Sequence, residues 1–227
     1  MRCSTSNDLR AETAIRLTPS DTDVLLVIDV QNDYCPGGSL AVADGDDAVP
    51  VINRLQEYFS NVVLTQDWHP AKHTSFASQH AKKKPFESIT MAYGEQTLWP
   101  DHCVQGTNGA EFHTNLKRNH AQLVIRKGLR TAVDSYSAFF ENDRTTPTGL
   151  SGYLRERRIE RVFLTGLATD VCVRFSAIDA RKEGFDTVLV LDACRGLSDS
   201  AINSALTAMK ESGVRVIESF AITGFAT

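Results

Sequence analysis

Short runs of β-branched and aliphatic residues punctuate the chain at residues 24–29, 62–65, 123–126, 162–165, 187–191 and 214–217. Each is four to six residues long, too short for a helix, and apolar on both faces. That pattern predicts buried parallel strands. Between them the apolar positions shift to helical spacing. Residues 46–59 carry Val49, Ile52, Leu55, Tyr58 and Phe59 after an acidic start. Residues 170–183 carry Val171, Phe175 and Ile178 and stop at Gly184, and residues 199–212 carry Ile202, Leu206 and Met209 before Gly213. Strand and helix in alternation predict an α/β fold, three layers deep (α/β/α), around a mostly parallel sheet of about six strands.

Residues 67–120 break this rhythm. They are rich in Pro, Gly, His and Lys with weak periodicity, and so long a stretch without strong elements points to a functional insertion. A loop-rich cap over the sheet is expected there. Neither repeat nor linker divides the rest, so one domain is expected over 1–227, with 1–23 as an N-terminal extension.

Composition narrows the function. The 227 residues are 42% hydrophobic and 23% charged, enough for a packed core without staples. With 24 Lys and Arg against 28 acids, the net charge of −4 gives no footprint for nucleic acid or an anionic membrane. Lys82-Lys83-Lys84 reads as a solvated loop. No apolar run approaches a membrane span. Five cysteines and a polar N-terminal stretch without a signal-like apolar region suggest free thiols in the cytoplasm.

In an open parallel sheet, ligands bind beyond the carboxyl ends of the strands. Just past the first four runs stand Asp29, Asp67-Trp68-His69, Lys127 and the segment from Gly166 to Cys172. With Thr169 as N-cap, Cys172 falls in the first turn of the next helix, where unpaired N–H groups favour thiolate and can hold an oxyanion. Asp29 and Lys127 can then take the thiol proton and return it to a leaving amine. The blander alternatives are a buried apolar cysteine and a structural ion pair. Cys3, Cys35, Cys103 and Cys194 lack such placement and read as structural.

Asp67, His69 and His102 have the character of metal ligands, since alternate residues of an extended segment share a face. One carboxylate and two imidazoles accept Zn²⁺ first, with Fe²⁺ or Mn²⁺ as alternatives. His73 and His80 are nearby as extra ligands, although a solvated histidine is commoner. Tyr34, Trp68, Trp99, Tyr136 and Phe139 are candidates to stack a flat substrate, or simply to pack.

Four motifs carry a resemblance: Asp29-x-Gln31-Asn32-Asp33, Asp67-Trp68-His69-Pro70-x-x-His73-x-Ser75-Phe76, Trp99-Pro100-x-His102-Cys103-Val104-x-Gly106-Thr107, and Gly166-x-Ala168-Thr169-Asp170-x-Cys172-Val173. The chain resembles the nicotinamidases among the isochorismatase-like cysteine hydrolases, over about residues 24–220. The resemblance implies hydrolysis of nicotinamide, and of pyrazinamide, to the acid and ammonia in NAD salvage. It implies a thioester at Cys172, Asp29 as proton shuttle and Lys127 as its electrostatic support. The oxyanion would lie at the N–H groups of Ala168 and Cys172, with a cis peptide before Ala168. Asp67, His69 and His102 would hold one divalent metal against the pyridine nitrogen, with His73 or Ser75 as an undecided fourth ligand. Tyr34, Trp99 and Tyr136 would line the ring, and a homo-oligomer is implied. This chain departs from the family in carrying Tyr34 where Phe is usual, and a buried hydroxyl needs a partner.

Two rivals remain. Another cysteine amidase of the superfamily would act on a different small amide or ureide, and generally lacks the metal motif. A non-catalytic nucleotide-binding module would need a Gly-rich phosphate loop after a strand, which the chain lacks.

Overall fold

The computed structural model describes residues 16–225. Six strands form one parallel sheet: β1 (Asp23–Ile28), β2 (Asn61–Asp67), β5 (Leu123–Lys127), β6 (Arg161–Leu167), β7 (Asp186–Arg195) and β8 (Arg215–Ile217). Their order across the sheet is β5-β2-β1-β6-β7-β8. All six expected runs are strands; β2, β6 and β7 run three to five residues beyond the expected lengths, and β8 is one residue shorter.

Successive side chains of a strand point to opposite faces, and the core divides accordingly. Val24, Leu26 and Ile28 pack on one face with Leu150 and Leu154 of α2 (Leu150–Glu156), Val173, Ala177 and Ala180 at α3 (Arg174–Lys182), and Ala205 and Met209 of α4 (Asp199–Glu211). Leu25 and Val27 pack on the other face with Val49, Ile52 and Leu55 of α1 (Ala48–Leu55). Three layers are therefore present.

Local differences from the sequence pattern have physical causes. The expected helix at 46–59 is α only over α1, flanked by 3₁₀ turns at Gly45–Asp47 and Gln56–Tyr58. α2 was not expected: its seven residues are too few to show periodicity. β5 alternates between half-buried and exposed positions before the buried Lys127 because it is a sheet edge, so it is not buried on both faces. At the other end of the core, Thr169 caps nothing. A π-helical turn, Thr169–Val173, leads into α3 with Ala168 as its cap residue and no side-chain cap bond.

The 67–120 segment is a cap with little regular structure. It holds a two-stranded hairpin, β3 (Ser88–Met91) with β4 (Gly94–Thr97), and 3₁₀ turns at Ala77–Gln79 and Asn108–Ala110. Single bridges pair Gln31 with Phe112 and His69 with Val104 at the strand-end loops, and Phe76 with Trp99 within the cap. The lysine run is exposed, as expected. Cys3 lies outside the described residues. No described helix is long and apolar enough to cross a membrane.

Candidate active site

β5, β2, β1 and β6 are immediate neighbours, so their carboxyl ends set Lys127, Asp67, Asp29 and the Cys172 turn side by side. Lys127 and Asp67 are register partners. From the edge strand the lysine side chain reaches past the end of β2, in a sheet whose strands are spaced about 4.8 Å apart, to contact Asp29 after β1 and the thiol. Its Nζ lies 2.5 Å from Asp67 Oδ1, 2.8 Å from Asp29 Oδ2, 3.0 Å from the Ser135 carbonyl and 3.5 Å from Cys172 Sγ. All three charged groups are buried.

The two oxygens of Asp29 differ. Thr65 Oγ1 donates to Oδ1 at 2.6 Å. Oδ2 faces Lys127 as an ion pair outside hydrogen-bonding angles and has no hydrogen-bond partner among the described residues. It is the oxygen free to take a proton. Burial raises the Asp29 carboxyl to about 6, against the lowering pull of Lys127. Burial would lower the Lys127 ammonium, but Asp29 and Asp67 outweigh it and hold it well above its ordinary range.

Cys172 corrects one expectation. Burial pushes its thiol well above the ordinary cysteine range; Lys127 pulls the other way, and Asp29 and Asp67 add to the rise. The resting group is a thiol, not the thiolate that a helix N-terminus alone would favour. Its proton has to leave as the sulfur attacks.

The turn that carries Cys172 is held from both ends. Val171 and Val173 N–H groups donate to the Ala168 carbonyl at 3.0 and 3.1 Å. Asp170 Oδ1 accepts from the Leu197 N–H at 3.0 Å, tying the turn to the loop after β7. The Leu167–Ala168 peptide is cis, as expected.

On the cap side, Asp67, His69 and His102 present ligand atoms within 4.8 Å of one another, all buried. His69 Nδ1 donates to the Gly128 carbonyl at 3.0 Å and His102 Nδ1 to that of Pro100 at 2.8 Å. Both Nε2 atoms are thereby left as lone pairs, the tautomer a metal-ligating imidazole needs. Burial lowers both rings to about 4, so they stand neutral at pH 7. Burial would raise Asp67, but Lys127 and the two imidazoles bring it down to about 2, leaving an anion. A carboxylate with two neutral imidazoles fits a divalent cation.

His73 is also buried, its ring 4.5 Å from that of His69. Its nitrogens contact Ser75 Oγ at 2.7 Å and the Val133 carbonyl at 3.3 Å. His80 contacts the Thr74 carbonyl instead and stands outside the cavity lining.

A narrow cavity joins the two halves. Cys172 and Ala168 line it together with Asp67, His69 and His102. Tyr34, Trp99 and Tyr136 line it as well, whereas Trp68 stacks under Arg126 and Phe139 lies in the main core. Cys35, Cys103 and Cys194 are buried free thiols outside the lining.

Sequence reasoning missed Asp134 and Gln96. Asp134 lines the cavity, with Oδ1 3.9 Å from His69 Nε2. Gln96 Nε2 reaches Asp134 Oδ2 at 3.0 Å and Tyr136 Oη at 2.8 Å, and Trp99 Nε1 also donates to Tyr136 Oη. Only its place two residues before Tyr136, in the loop that follows Lys127, could have pointed to Asp134. Gln31 explains the first motif: its amide grips the Asp67 backbone at both N–H and C=O and holds the Ala110 carbonyl of the cap.

Residues 23–220 match the isochorismatase domain. The chain belongs to the isochorismatase family. Within that family it is 50% identical to a nicotinamidase of Acinetobacter baylyi, over 90% of this chain and 96% of the relative. Two solved structures share its fold closely. The L. infantum protein crystallised with nicotinate superposes with a TM-score of 0.82 at 39% identity, covering 92% of this chain and 99% of that one. A Pyrococcus horikoshii pyrazinamidase solved with zinc gives 0.72 at 34%, covering 87% and 99%.

Proposed function

We propose that this isochorismatase-family protein hydrolyses nicotinamide to nicotinic acid and ammonia, and takes pyrazinamide as well, in NAD salvage. The observation that carries the reading is one cavity lined both by Cys172, which Lys127 contacts from behind together with its ion-pair partner Asp29, and by the Asp67–His69–His102 cluster. The resemblance to nicotinamidases along nearly the whole chain supports it.

In this reading Cys172 Sγ attacks the carboxamide carbon while its proton passes to Asp29 Oδ2. Lys127 keeps Asp29 ionised beforehand and steadies the charge that moves between carboxylate and sulfur. The carbonyl oxygen, now an oxyanion, accepts from the N–H groups of Ala168 and Cys172. Asp29 returns the proton to the amide nitrogen, the C–N bond breaks, and ammonia leaves a thioester. Water then gives a proton to Asp29 and attacks the same carbon. The acid departs and the sulfur recovers its proton.

Asp67, His69 and His102 would hold one divalent metal, zinc first among the options. When bound, it would supply a Lewis-acidic anchor for the pyridine nitrogen. Tyr34, Trp99 and Tyr136 bound the ring, so the carboxamide is presented to the thiol in a fixed orientation.

Acid quenching during turnover, followed by peptide mass analysis, tests the covalent step. A nicotinoyl adduct confined to the Cys172 peptide is expected. Steady turnover with every cysteine unmodified and Cys172→Ala still active would overturn it.

A further inference from the structure

Tyr34 is one point at which this chain leaves the pattern it otherwise resembles, and its hydroxyl has a specific partner. Tyr34 Oη donates to Asp67 Oδ2 in a short hydrogen bond. The other carboxylate oxygen, Oδ1, is taken by Lys127 Nζ. Asp67 is therefore gripped at both oxygens, and Oδ2 is the one on the histidine side, 4.0 Å from His69 Nε2. Oδ2 has no other hydrogen bond among the described residues.

The donor is itself fixed. Tyr34 closes the 3₁₀ turn Asn32–Tyr34, its N–H donating to the Gln31 carbonyl and its carbonyl accepting from Val42 N–H. Its ring packs at 5.6 Å from the His102 ring and is almost wholly buried. A phenylalanine would fill the same space but leave Oδ2 without a donor. The carboxylate would then be held only through Oδ1 and free to turn about that anchor.

We propose that the Tyr34 hydroxyl is a positioning group for the metal: it fixes the Asp67 carboxylate so that one lone pair of Oδ2 faces His69 and His102. The inference rests on the metal reading given above. Outer partners of this kind change metal affinity by about 10–100-fold when removed.

The test is a titration of the metal-stripped, full-length protein with Zn²⁺ alone, in competition with a chromophoric chelator. Wild type, Tyr34→Phe and His69→Ala are compared, with melting curves of the metal-free proteins alongside. The expected result is one tight equivalent in wild type and an equivalent about 10–100-fold weaker in Tyr34→Phe, with a metal-free melting curve close to wild type. His69→Ala should lose the tight equivalent. An affinity in Tyr34→Phe within about twofold of wild type, or tighter, would overturn the positioning role while leaving the metal site standing. A wild-type protein that binds no zinc, or binds it regardless of His69, would overturn the metal reading and the inference together.

Discussion

Burial governs the chemistry of the individual residues here. The Cys172 thiol sits too deep to ionise on its own, so its deprotonation falls to a base that is itself moved by burial. With Asp29 raised to about 6, the ionised carboxylate is present above that pH and lost below it. The rate kcat/KM should accordingly fall as pH drops through about 6. Asp29→Asn keeps the shape, should lower the rate by roughly 10²–10⁴-fold, and should abolish that inflection; an unchanged inflection in the variant would assign it to another group. Lys127→Met should inactivate the enzyme and cost about 3–5 kcal/mol, because it strands two buried carboxylates. The sign with pH follows. Without the ammonium, both carboxyls titrate above their unfolded values, so the variant's deficit should shrink as pH falls. Denaturant melts at pH 7 and pH 5 measure this.

At the scale of elements, strand order does the assembling. The strand ends were readable because parallel strands buried on both faces announce themselves as short aliphatic runs, and Asp29, Asp67, Lys127 and Cys172 each stand at or just past one. The turn that carries Cys172 was less readable: whether a strand feeds an α-turn capped by Thr169 or the observed π-turn depends on contacts such as Asp170 with Leu197, which come from a distant loop. The thiol's protonation was hidden for the same reason, since burial depends on what covers the turn. Two glycines show how tightly the elements close on the site. A Cβ on Gly166, whose φ is +110°, would meet the Ile28 carbonyl oxygen at 2.1 Å, where β6 runs beside β1. One on Gly128, at φ +67°, would fall 2.3 Å from the His69 ring. Gly128→Ala should therefore displace His69 and weaken zinc binding more than it lowers the melting temperature. Equal zinc affinity would show that the loop after β5 does not set the imidazole.

Across the whole molecule, the sheet delivers the acyl-transfer groups and the cap delivers much of what holds the ring. Trp99 and His102 come from the cap, and Gln31 stitches it to β2 through the Asp67 backbone. That division explains what the sequence concealed. Gln96 lies on a small cap hairpin with no pattern to flag it, and Asp134 follows Lys127 in a loop whose path only the fold reveals. Exhaustive chelation should therefore act on binding before chemistry: KM for nicotinamide should rise about tenfold or more, the equivalent of ~1.4 kcal/mol of lost anchoring, with a smaller fall in kcat. A kcat that collapses at unchanged KM would place the metal in the chemical step instead.

The measurement that bears most directly on the account is release of ammonia and nicotinic acid from nicotinamide by the purified zinc-loaded protein, with Cys172→Ala assayed in parallel. Rapid, equimolar release by the wild type is expected, and none above background from a folded Cys172→Ala protein. Failure of the zinc-loaded wild type to release ammonia, or release that persists in the variant, would contradict it.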